Sequence, residues 1–195
     1  MKWGRAVHHL ESLAQSCAEL SGQPFFSLTV TQLWAVGDIL GPKHDQELEW
    51  VTVALAVDLP PDDVAWWSEP QGSQHWANAT RLTKNPVLAW WRSAQVPMWN
   101  HRIVRPALVW DVEAGQRDDV LSALRDGRGE DVRTQAPTSD ELAARLQDEL
   151  AVSRKALIAA TAEYERRRWS PGKLEPVADA MWRASDGYLD LLAAV

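Results

Sequence analysis

Apolar residues recur along this chain at two periods, 3.6 and 2, and the switches between them predict the order of its elements. Trp3, Val7, Leu10, Leu13, Ala14, Cys17 and Leu20 make a helical stripe over residues 3–20, stopped by Ser21-Gly22 and Pro24. Residues 27–37, SLTVTQLWAVG, are rich in β-branched and apolar types and read as a strand, punctuated by Gly37-Asp38 and Gly41-Pro42. Residues 47–58, ELEWVTVALAVD, alternate between two sets. Glu47, Glu49, Val51, Val53, Leu55 and Val57 share one face; Leu48, Trp50, Thr52, Ala54 and Ala56 share the other. Both faces are mostly apolar, which predicts a central strand forming a hairpin with the one before it.

Downstream the signals shorten. Pro60-Pro61-Asp62-Asp63 opens a helical turn to Trp67, and residues 68–75 are a polar loop. Residues 76–83 and 86–94 read as short helices split at Asn85-Pro86. IVRPALVWDVE (103–113) reads as a third strand, whose first half Pro106 confines to an edge or bulge. Residues 116–126 read as a helix ended by Gly127, and 127–138 as a linker. Thr138 with Glu141 matches a capping box, followed by the stripe Leu142, Leu146, Leu150, Leu157, Ala160 and Tyr164. Ser170-Pro171 restarts a helix, with Leu174, Val177, Met181, Trp182, Leu189 and Leu192 as its expected buried face. The expectation is an α+β fold: a small mixed β-sheet flanked by helices over residues 1–130, followed by an antiparallel helical hairpin over 137–195 that packs on it.

At 195 residues, 46% apolar and 24% charged, the chain can bury a core without disulfides or metals. Its single cysteine excludes an internal disulfide, and Cys17 sits on the apolar stripe as a core residue. The first residues, MKWGRAVHHLESLAQS, do not read as a signal peptide, and no stretch reaches the ~20 apolar residues of a membrane span, so the expected setting is cytoplasmic. A net charge of −7 argues against duplex nucleic acid as a partner. The aromatic set is unusual, with 12 Trp against 2 Tyr and 2 Phe. Packing accounts for most of these indoles, and some can line a pocket.

Candidate chemistry gathers around the second strand. Residues i and i+2 of a strand point the same way, so Glu47 and Glu49 side by side would repel unless a cation lay between them. The order helix, strand, Gly37-Asp38 turn, Glu47-Leu48-Glu49, then Asp111 in VWDVE resembles the nucleotidyltransferase-like (polymerase-β-like) superfamily over about residues 3–126. The resemblance implies Glu47, Glu49 and Asp111 as catalytic metal ligands, Mg²⁺ as the ion, and Gly37 and Asp38 beside a phosphate. Asp38 stands where that superfamily has Ser, and the acid pair is Glu-x-Glu. The alternative is that Glu47 and Glu49 are a solvated strand start.

A second cluster, His75, Arg81, Lys84, Arg92, His101, Arg102 and Arg105, is interleaved with Trp76, Trp90, Trp91, Trp99 and Trp110. Arg reads phosphate bidentately and Trp stacks bases, so Arg81, Lys84, Arg92, His101, Arg102 and Arg105 are the expected ligand-binding cations. Asp38, His44 and Asp45 form a further possible metal group or a polar turn. Three functions follow: a divergent nucleotidyltransferase-fold protein binding a nucleotide or small phosphate with weak or no transfer activity; an active metal-dependent transferase; or a non-catalytic interaction protein, with a homodimer among its forms. The stretches WNHRIVRP (99–106) and RRWSPGKLEP (167–176) also resemble an uncharacterised bacterial family.

Overall fold

The computed structural model describes residues 1–43 and 47–195. The order is α1 (Trp3–Leu20), β1 (Val30–Val36), β2 (Val51–Val57), α2 (Ser73–Ala79), β3 (Val87–Ser93), β4 (Ala107–Asp111), β5 (Gly115–Gln116), α3 (Asp118–Arg125), α4 (Ser139–Arg167) and α5 (Glu175–Ala194). The fold is α+β, as expected. The five strands form one mixed sheet in the order β3-β2-β1-β4-β5. β1 pairs antiparallel with β2 and β4, and β2 pairs parallel with β3 from Val51↔Val87 to Val57↔Ser93.

β3 corrects the expected helix over 86–94. VLAWWRS is a short apolar run that periodicity cannot assign, and its two Trp residues favour a pleated, half-buried surface. The other strands are shorter than expected. β2 begins at Val51 and β4 at Ala107, just after Pro106, which has no N–H to give to a ladder.

The sheet buries both faces. Leu33, Ala35, Val53, Leu55, Trp91 and Val109 lie in one core with α1 and α3. Cys17 is fully buried there, and burial pushes its thiol pKa far up. Trp3 donates its indole N–H to the Leu124 carbonyl at 2.8 Å, tying α1 to α3. On the opposite face Val36, Ala54 and Ala56 pack with Trp66, Met98, Ile103, Leu146 and Leu191. Met98 and Ile103 come from the connection between β3 and β4, which crosses this face.

The hairpin of α4 and α5 closes the second core. Thr138 caps α4 with the reciprocal Thr138–Glu141 hydrogen bonds that the sequence predicts. α5 starts at Glu175, with Pro176 in its first turn, rather than at Pro171. Its buried face also differs from expectation. Ala184, Gly187 and Leu191 face the protein, whereas Trp182, Leu189 and Leu192 are exposed. Close approach is the reason: a Cβ on Gly187 would overlap the Trp66 carbonyl oxygen. Only small residues let the helix axis come this near, so the large apolar ones point away. No helix among the described residues is long and apolar enough to cross a membrane.

Candidate functional site

The three acids do not gather. Asp111 lies opposite Gln32, which lies opposite Ala56 near the far end of β2. Glu47 and Glu49 precede Val51 at the other end. At about 3.3 Å per residue, the span from Val51 to Ala56 alone separates them by roughly 16 Å. Glu47 is 69% exposed and lies 3.8 Å from the Met1 α-amino group, and Glu49 is exposed. Asp111 caps a turn, accepting from Gln32 Nε2 at 2.9 Å and from the backbone N–H groups of Glu113 and Ala114 at 2.9 and 3.1 Å. Its partial burial would raise its pKa, and these hydrogen bonds more than offset that and hold it below the usual carboxylate range. Among the described residues no three His, Cys, Asp or Glu side chains are placed to hold a metal ion. Glu47, Glu49 and Asp111 therefore do not fit a Mg²⁺ site. Of the Asp38–His44–Asp45 group, His44 and Asp45 lie outside the described residues.

The cations also disperse. Arg81 and Lys84 are exposed beside the start of β3. Arg105 pairs with Glu130 and donates to the Thr134 carbonyl at 3.2 Å. Gly37, Asp38 and Arg102 do meet, together with Val104 and Arg133, around an open cleft of about 510 Å³. Gly37 opens the turn after β1 at φ 74°, a left-handed conformation that favours glycine. Both guanidiniums there already have carboxylate partners: Arg102 is forked onto Asp190, and Arg133 Nε is 2.6 Å from Glu130.

Arg92 and His101 belong instead to two polar clasps between sheet and hairpin. Glu149 of α4 receives Arg92 from β3, Arg145 Nη2 at 2.9 Å and Asn100 Nδ2 at 3.0 Å, all buried. Asn100 Oδ1 in turn accepts the backbone N–H groups of Arg102 and Ile103, both at 2.9 Å. Burial alone would raise the Glu149 pKa, but the two guanidiniums and Asn100 hold it below the ordinary value. Asp190 of α5 accepts the Trp66 indole N–H at 2.8 Å, contacts His101 Nε2 at 2.7 Å and binds Arg102. Burial opposes its ionisation, yet those hydrogen bonds bring its pKa down to about 2. Sequence reasoning missed Glu149, Arg145 and Asp190. The signal was present for Glu149: on a helical wheel Ser153 falls between Leu142 and Leu146 and Glu149 only about 20° beyond Leu142, so polar groups occupy the buried stripe.

The remaining concentration of unusual features lies along β3. This strand ends the sheet, and no strand pairs with its outer edge among the described residues. A hollow opens beside each of its faces, one lined largely by indoles and the other by a mixed set that includes Glu69, Ser73, Gln74 and Thr83. One, of about 250 Å³, is lined by Trp67, Leu88, Trp90 and Trp182, with the Glu69–Arg183 ion pair (2.9 Å) at its rim. The other, of about 190 Å³, is lined by Ala77, Leu82 and Val87; Ala89 and Trp91 border both. Leu88 is 40% exposed and Trp182 60%. Trp67 has φ 64°, uncommon for a bulky residue, and its buried indole N–H has no hydrogen-bond partner among the described residues. Trp66 fixes the wall behind it, in contact with Trp67, Trp90 and His101 at ring separations of 6.4, 5.4 and 5.8 Å.

Comparison with known proteins adds a family and no activity. A model described as a domain of unknown function, DUF7711, matches residues 1–195. The chain belongs to the DUF7711 family. No curated protein and no solved structure matches it. Within this DUF7711 chain, the functional reading therefore rests on the residues themselves.

Proposed function

We propose that this protein is a non-catalytic interaction module that receives an extended peptide segment along the outer edge of β3. The observation that carries the reading is the pair of hollows flanking one unpaired strand edge. A peptide added to a sheet edge sends successive side chains to opposite faces. Here one set enters the Trp67–Trp90–Trp182 hollow and the alternate set enters the Ala77–Leu82–Val87 hollow. Backbone hydrogen bonds to β3 supply affinity, and the Trp-lined hollow selects an apolar or aromatic side chain. β3 lacks most of the devices that blunt an edge: it contains no Pro, Lys or Glu and its register with β2 is unbroken, and the one it has, the inward-pointing Arg92, lies next to its last residue, Ser93.

Selection of random nine-residue displayed peptides against the whole chain tests the reading. A selected peptide should bind at least tenfold more weakly to Leu88→Lys and to Trp182→Ala in fluorescence anisotropy. Both side chains are substantially exposed, so thermal stability should stay close to that of the parent. If selection yields no binder, or both variants bind every selected peptide as the parent does, the reading fails. A second copy presenting its own β3 is the homodimer version, read by sedimentation equilibrium.

A second reading, binding of a nucleotide or small phosphate, is supported by the cleft that Gly37, Asp38, Arg102 and Arg133 share. It does not extend to nucleotidyl transfer, because Glu47, Glu49 and Asp111 offer no common metal position. Titration calorimetry with ATP and GTP, with and without Mg²⁺, reads it directly; heat that survives Arg102→Ala would place the ligand elsewhere.

A further inference from the structure

The clasp around Glu149 carries an excess of positive charge away from water. Arg92, Arg145 and Glu149 are buried, two guanidiniums sharing one carboxylate, and the nearby Asp148 is exposed. Guanidinium does not deprotonate at ordinary pH, so the charge cannot be relieved by proton loss. Glu149 supplies a single negative charge to both: its Oε1 takes the two guanidiniums and its Oε2 takes Asn100. The Nε–H groups of Arg92 and Arg145 are both buried, and neither has a hydrogen-bond partner among the described residues. Arg92 stacks over Trp66, its guanidinium carbon 5.4 Å from the ring centroid, which offsets part of its desolvation. Arg92, Arg145 and Glu149 also line a small cavity of about 20 Å³, walled by Val64, Trp66 and Val152.

We infer that this cavity is a binding site for a single halide ion, chloride in the cell, which neutralises the clasp and locks the hairpin onto the sheet. The volume admits one water-sized particle and excludes phosphate, sulfate or a carboxylate. A halide only accepts hydrogen bonds, which matches two unused N–H donors; Ser93, also in the lining, already donates its hydroxyl to the Leu59 carbonyl. A water would leave the charge uncompensated. This site is separate from the β3 edge, so either proposal can fail alone.

Thermal unfolding of the whole chain at constant ionic strength tests it, with sodium gluconate replaced stepwise by sodium chloride or bromide. The expected result is a saturable rise in melting temperature with either halide that Arg145→Met lacks, whereas sulfate, which stabilises folded proteins by exclusion from their surface, should act equally on parent and variant. At a tenfold excess of halide over its dissociation constant, the folding equilibrium should shift roughly tenfold. Arg145→Met, which leaves Arg92 and Glu149 as a neutral pair, should lose the halide response while Arg183→Met keeps it. Should Arg145→Met not fold, crystals of the parent grown in bromide give an independent reading. An anomalous peak within hydrogen-bond reach of both Nε atoms is expected. Equal melting in gluconate and chloride, or a water at that position in bromide crystals, overturns the inference.

Discussion

Replacing Glu149 by Gln should be among the most damaging conservative changes in this chain. The carboxylate is the shared acceptor for Arg92, Arg145 and Asn100, and its loss raises the buried charge from one excess guanidinium to two. The Gln amide can accept from one neighbour, but its NH₂ then faces another donor. Breaking a buried ion pair by removing one partner costs about 3–5 kcal/mol, because the remaining charge stays desolvated. Against a total stability of about 5–15 kcal/mol this is a large fraction. For a chain of this length it corresponds to a melting-temperature loss of roughly 6–20 °C. Urea unfolding followed by circular dichroism measures it, with Glu163→Gln as the comparison. Glu163 pairs with Arg166 on the surface, and its replacement should cost less than about 1 kcal/mol. The double variant Glu149→Gln/Arg145→Met restores the parental excess of one buried guanidinium and should recover a substantial part of the loss. A Glu149→Gln protein within 1 kcal/mol of the parent would refute the electrostatic account of how the hairpin is held.

Two further changes test the same interface. The Asp190 pKa lies near 2 when folded against an ordinary value of 3.8, so its stabilising contribution is fully present above about pH 4 and is lost as pH falls towards 2. Asp190→Asn should therefore flatten the pH dependence of the urea midpoint between pH 4 and 2; an unchanged slope would remove Asp190 from the clasp. Gly187→Ala raises helix propensity by about 1 kcal/mol, yet its methyl group meets the Trp66 carbonyl oxygen. Net destabilisation of about 1–3 kcal/mol is expected, and stabilisation would mean that α5 does not approach Trp66 so closely.

Where the sequence carried a long period or a capping signal, it was legible. The stripe from Trp3 to Leu20 marks α1 to its last residue, and the Thr138–Glu141 box marks the start of α4. Both signals are local, decided by side chains within one turn or one face. β3 was misread because VLAWWRS is too short to reveal its period, and only parallel pairing with β2 makes it a strand. On α5 the size of the apolar residues does not mark the buried face, because tight packing against Trp66 requires Gly187 there. The proposed acid triad failed on register: pairing puts Asp111 level with Ala56 rather than with the start of β2. Of the residues chosen for chemistry, Gly37, Asp38 and Arg102 converge, while Arg92 and His101 turn out to hold the fold together. The two hollows beside β3 draw on α2, α5 and the segment before α2, far apart in the chain, so no local pattern announces them.

Amide hydrogen exchange along Val87–Ser93, with and without a selected peptide, bears most directly on the central idea. Saturating peptide should slow exchange at the outward-facing amides of β3 and leave the inward-facing amides as they were. Protection confined to the Gly37–Arg102 cleft, or no change anywhere on β3, would contradict it.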